Sequence, residues 1–81
     1  MLNQLILVGR VTMITDKHLH LKVNNSDKDL VIATDQFVID ASMVGETLAI
    51  KGYLVMTHHL EIHLDRYSYV KGGEAYAETI N

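Results

Sequence analysis

The chain predicts a mostly β domain, a partly open five-stranded barrel with one short helix between its third and fourth strands. Three observations lead there. β-Branched residues and leucine fall in short alternating runs at strand spacing, proline is absent, and a single segment, Asp35 to Val44, breaks the alternation. The 81 residues, 48% of them hydrophobic, suffice for one core only. A chain this short removes about 60–65% of its unfolded surface from water, so its stability is marginal unless a partner subunit adds to the core.

The first run, Asn3 to Thr12, is apolar on both faces, with Leu5, Leu7 and Val11 alternating against Ile6 and Val8. Both faces therefore need cover. His18 to Val23 alternates cleanly, placing Leu19, Leu21 and Val23 inward and His20 and Lys22 outward. Asn24-Asn25-Ser26-Asp27 is a cluster of turn residues that predicts a hairpin into a third strand, Lys28 to Thr34. Within Asp35 to Val44, Phe37, Val38, Ala41 and Val44 recur as one face of a short helix would require. Thr34 or Asp35 can cap that helix and Gly45 can end it.

The fourth strand, Glu46 to Thr57, sets Leu48, Ile50, Leu54 and Met56 on one face and Ala49, Lys51, Tyr53 and Val55 on the other. Gly52 interrupts it, marking a bulge or a barrel bend. Thr57-His58-His59 turns into a fifth strand with Leu60, Ile62 and Leu64 inward and His59, Glu61, His63 and Asp65 outward. Gly72-Gly73 ends the pattern. Residues 1–71 thus form the barrel, and 72–81 a short C-terminal strand or tail. Three strands, a helix and two strands in this order are the arrangement of an OB-fold, a barrel that commonly binds oligonucleotides.

Composition narrows the function further. Without cysteine there is no disulfide or thiolate zinc site, and the chain reads as cytoplasmic. The longest early apolar run, Leu5 to Val8, is too short for a signal peptide or membrane span. The net charge of −3 has the wrong sign for nucleic-acid binding by bulk electrostatics, so any such binding needs a local patch. No nucleophile or phosphate-loop motif occurs, so neither catalysis nor a cofactor is expected. His59, Glu61 and His63 share one strand face, but neighbours there stand about 6.5–7 Å apart, too wide for a zinc site without help from another strand. No metal is expected. That face instead gains charge below about pH 6.5.

The opening Met1-Leu2-Asn3-Gln4-Leu5-Ile6-Leu7-Val8-Gly9-Arg10-Val11-Thr12 resembles the amino terminus of the bacterial single-stranded DNA-binding proteins, with their apolar run into a Val-Gly-Arg triplet. Gly45-Glu46-Thr47-Leu48-Ala49-Ile50-Lys51-Gly52-Tyr53-Leu54 resembles that family's glycine turn, apolar strand and bend, with Tyr53 where the bend often carries Arg. The likeness spans about residues 1–70. It implies an OB-fold that binds single strands in replication, recombination or repair. It also implies dimers or tetramers, often built by pairing first strands. The chain departs from the family in having no Trp, one Phe and no acidic tip at Thr79-Ile80-Asn81, so recruitment of replication proteins through such a tip is not expected.

Single-strand binding needs cations along the backbone path and π-faces for bases. Outward parity selects Arg10, His20, Lys22, Lys51 and Tyr53, with Tyr67 as a sixth residue on strand five. The same residues would equally serve as the wet exterior of a barrel. Leu5, Ile6, Leu7 and Val8 are the expected homo-oligomer interface: whichever pair faces outward would leave an apolar strand exposed in a lone barrel. The expectation is sequence-tolerant binding of single-stranded DNA by a small oligomer. The competing reading is an OB-type protein-interaction or oligomerisation module that has lost its aromatic platform.

Overall fold

A computed structural model describes residues 3–23 and 26–70 and the backbone of Tyr76–Thr79. Asn24 and Asn25 of the expected hairpin, and Gly72-Gly73, lie outside the described residues. The strands are β1 (Gln4–Ile14), β2 (His18–Lys22), β3 (Leu30–Ala33), β4 (Thr47–Met56), β5 (Leu60–Tyr69) and β6 (Tyr76–Thr79). β1 pairs antiparallel with β2, β2 with β3, and β5 with β4, which returns to β1. The ring closes through a parallel contact between β3 and β5 that is only two residue pairs long, Ile32 with Ile62 and Ala33 with His63. This is the partly open, OB-like barrel that the strand order predicts.

Alternation builds the core. Leu7 and Val11 of β1, Leu19 and Leu21 of β2, Ile32 of β3, Leu48 and Ile50 of β4 and Leu64 of β5 are all buried in one cluster. Each such aliphatic side chain contributes about 1.5–3 kcal/mol by leaving water. Gly9 makes the geometry possible, because a Cβ there would stand 2.4 Å from the Lys22 carbonyl oxygen. The end of β2, paired antiparallel with β1, lies closely against Gly9 at this point.

Two bulges reset the inward parity. Val11 and Met13 face the consecutive residues Leu21 and His20, so Thr12 is the extra residue in β1 and Ile14 rather than Met13 turns to the core. Lys51 and Gly52 face Arg66 and Leu64, so Asp65 is the extra residue in β5. Gly52, flagged by the sequence, lies at this second bulge, where an added Cβ would meet the His63 carbonyl at 3.0 Å. The bulge corrects one site assignment: Tyr67 does not point outward. It packs against the core cluster, edge-on to Phe37 with ring centroids 6.4 Å apart.

The predicted helix contracts to a single 3-10 turn, Ala41–Met43. Ahead of it, Phe37 and Ile39 pack on the core while Val38 between them is 89% exposed, which is the two-residue period of extended chain. Asp35, at φ 50°, makes a tight turn rather than a cap. The cap is Asp40, whose carboxylate accepts from the Ser42 N–H at 2.9 Å and from its hydroxyl. Met56 and Leu60, assigned inward by alternation, are 72% and 58% exposed because they flank the Thr57–His59 hairpin tip beyond the barrel core.

Candidate nucleic-acid interface

The strand registers place five of the six proposed binding residues on the outer face of the barrel. Arg10 on β1 lies directly opposite Lys22 on β2, and His20 lies opposite Met13. On β4, Lys51 lies opposite Ile6 of β1 and opposite Arg66 of β5. Tyr53 lies opposite His63, and the two rings stack at 5.6 Å with a 28° interplanar angle. Tyr67, packed against the core, lines the groove between Lys51 and Arg66 rather than lying on the open face. Arg66 takes a place that parity counting alone denied it, because the Asp65 bulge turns it to the side of Lys51. Gly52 was the available signal for that turn.

Two cross-strand pairs, Arg10 with Lys22 and Lys51 with Arg66, therefore set cation against cation. Like charges directly opposite each other destabilise a sheet by a few tenths of a kcal/mol to about 1 kcal/mol. Each pair has an acid in its neighbourhood: the Asp65 carboxylate is 3.7 Å from the 74%-exposed Arg66 side chain, and Asp29, which precedes the Leu30 that pairs with Leu21, accepts from the Thr12 hydroxyl on β1. Thus four of the seven Lys and Arg lie on one sheet face of a chain with net charge −3. Six of the acids, Asp16, Asp27, Asp29, Asp35, Asp40 and Glu46, lie in turns and loops, and of these Asp29 reaches back to the Thr12 hydroxyl of β1.

Between Lys51 and Arg66 the outer face sinks into a groove of about 250 Å³, lined also by Ile6, Ala49, Ile50, Tyr67 and Ser68. Of the expected subunit-contact residues, Leu7 is in the core, Leu5 packs against it and Val8 is only 3% exposed. Ile6 alone reaches this groove. The backbone edge of β1 is also occupied, since Leu5 to Val8 pair with β4 on one side and β6 on the other.

Beyond Tyr53 the face changes sign. The His63 ring, 18% exposed, meets a carboxylate at each nitrogen: Nδ1 is 2.9 Å from Asp35 Oδ2 and Nε2 is 3.0 Å from Glu61 Oε1. Carboxylates only accept, so both bonds form together only with the imidazolium. The bond to Asp35 first, then that to Glu61, raises the His63 pKa above its ordinary value, with burial opposing. Glu61 also reaches the exposed His59 at 3.2 Å. Sequence reasoning saw the His59, Glu61 and His63 face but not Asp35, which it assigned to a helix start. Among the described residues no group of three or more His, Asp or Glu is placed to hold a metal ion.

A raised folded pKa gives stability that is full below the unfolded value of about 6.5 and is lost as pH rises through the folded value. Urea melts between about pH 5.5 and 8.5 should show the wild type losing its advantage over His63→Gln as pH rises. Parallel curves for the two proteins would show that the pairs contribute nothing.

No protein-family model, curated protein or solved structure matches the chain. Among the described residues no helix is long and apolar enough to cross a membrane.

Proposed function

We propose that the chain binds single-stranded DNA without strong sequence preference, along the outer face of β2, β1, β4 and β5. The observation that carries this reading is the two cross-strand cation pairs, which gather four of the seven Lys and Arg on that face of a net acidic protein. A polyanion relieves both repulsions at once. Lys51 and Arg10 are separated by four residues of register along β1, about 13 Å at 3.3 Å per residue, a span of a few nucleotides. Tyr53, two residues beyond Lys51, offers a π-face to a base, with its ring fixed by the His63 stack. No base-edge reader is required, so the binding is sequence-tolerant.

Fluorescence anisotropy with a labelled oligo-dT and with a duplex of equal length tests the reading. The single strand is expected to bind more tightly, and Tyr53→Ala to weaken it by about 1–3 kcal/mol. Equal affinity for both forms, or an unchanged Tyr53→Ala complex, would remove the stacking role. The assembly proposed alongside is a homo-oligomer. With the β1 edge already paired over Leu5 to Val8, side-chain surface rather than strand addition would build it.

One observation favours the protein-interaction reading. Val31 and Leu60, 47% and 58% exposed, flank a second depression of about 130 Å³ between β3 and the start of β5. A protein that binds no oligonucleotide would direct attention to that surface.

A further inference from the structure

We infer that the groove between Lys51 and Arg66 seats one nucleobase of the bound strand, with the flanking phosphates on the two cations. The inference rests on the single-stranded DNA reading above and names a base site within it.

The groove joins three properties. Its floor is largely apolar, since Ile6 and Ala49 face outward there beside Ser68, with Ile50 and Tyr67 also lining it. Its volume of about 250 Å³ falls below the ~300–1,000 Å³ of drug-sized ligand sites, a scale suited to a base and part of its sugar. Its rim is a like-charge pair, Lys51 opposite Arg66. A flat, weakly polar ring attached to an anionic backbone complements all three. The Ser68 hydroxyl can donate or accept, so one side chain serves any base edge.

A second copy of the chain fits less well. In a two-fold contact the patch meets itself, which would bring Lys51 and Arg66 of both copies together and add to the repulsion already present. The position within the face also favours a strand. Tyr53 continues β4 two residues past Lys51, about 7 Å away, so a base in the groove leaves its neighbour within reach of the Tyr53 ring.

Filling the groove tests this. Wild type, Ala49→Leu and Ser68→Leu are compared by anisotropy on a thirty-nucleotide oligo-dT and on an abasic deoxyribose-phosphate polymer of the same length. Melts verify that the variants fold, and Ser68, being exposed, gives a variant that does not load the core. The wild type is expected to prefer oligo-dT. Both substitutions should cut that preference by about five- to tenfold while the slope of log K against log salt stays the same, because the phosphate contacts remain. If both folded variants keep the wild-type preference, the base site is overturned and DNA binding stands. If the wild type binds neither polymer, the DNA reading fails and the base site fails with it. If the substitutions change only the mass seen by light scattering, the groove is a subunit contact and the base site is overturned.

Discussion

Gly9→Ala is expected to be among the most damaging single-methyl changes in the chain. The added Cβ would lie 2.4 Å from the Lys22 carbonyl oxygen and 3.0 Å from both its carbonyl carbon and Leu21 Cγ. Two of those three atoms are backbone, so no rotamer change relieves the clash. β2 must move off β1, and β2 carries Leu19 and Leu21, both fully buried. Overpacking of this kind costs about 1–3 kcal/mol, and a backbone obstacle places Gly9→Ala at the upper end. For a domain of this size each kcal/mol lowers the melting temperature by about 4–8 °C, so a fall of roughly 12–24 °C is expected. Thermal denaturation followed by circular dichroism reads it directly. A melting temperature within a few degrees of wild type would show that the Lys22 backbone does not lie against Gly9 as described.

The second large effect concerns binding. Arg10→Glu combined with Lys51→Glu breaks both like-charge pairs and replaces each with an attractive one, to Lys22 and to Arg66. The double variant should therefore fold at least as well as the wild type while losing DNA. Each phosphate contact contributes a slope of about −0.7 on single strands, which is roughly 0.9 decade at 50 mM salt relative to 1 M. Two lost contacts predict about a hundredfold weaker binding at low salt, and the introduced carboxylates add repulsion. Stability and affinity thus move in opposite directions. Anisotropy and urea melts on the same preparation check both. A double variant that is both less stable and unchanged in DNA affinity would contradict the placement of these cations.

Much of the barrel is legible in the sequence because its strands obey a two-residue period. Leu19, Leu21, Leu48, Ile50 and Leu64 alternate with polar or small residues and all reach the core as read. What escaped is local and has a physical reason. A bulge inserts one residue and reverses parity beyond it, so Tyr67 turned inward and Arg66 joined the cationic face. Gly52 announced the bulge, but the extra residue is Asp65 on the partner strand, which no single-strand pattern reveals. The helix was read from Phe37, Val38, Ala41 and Val44, yet Phe37 and Ile39 satisfy an extended period equally well, and short apolar runs do not separate the two. The His63 clamp depends on Asp35, which is 28 residues away in sequence and brought close by the short β3–β5 contact.

The site was legible only in part for a related reason. Parity shows which residues face out, but cross-strand register decides which of them face one another. The opposition of Arg10 to Lys22 and of Lys51 to Arg66, on which the functional reading rests, is a property of register. The same registers put the Tyr53 ring on His63, beside two carboxylates, so the cationic path ends where the face becomes acidic.

The most direct test of single-strand binding by this face is a salt titration of the unmodified protein with a thirty-nucleotide oligo-dT. Four cations at about −0.7 each predict a slope of log K against log salt of roughly −2 to −3, with modest affinity that fades toward physiological salt. Absence of binding at low salt and micromolar protein, or a slope near zero, would contradict the account.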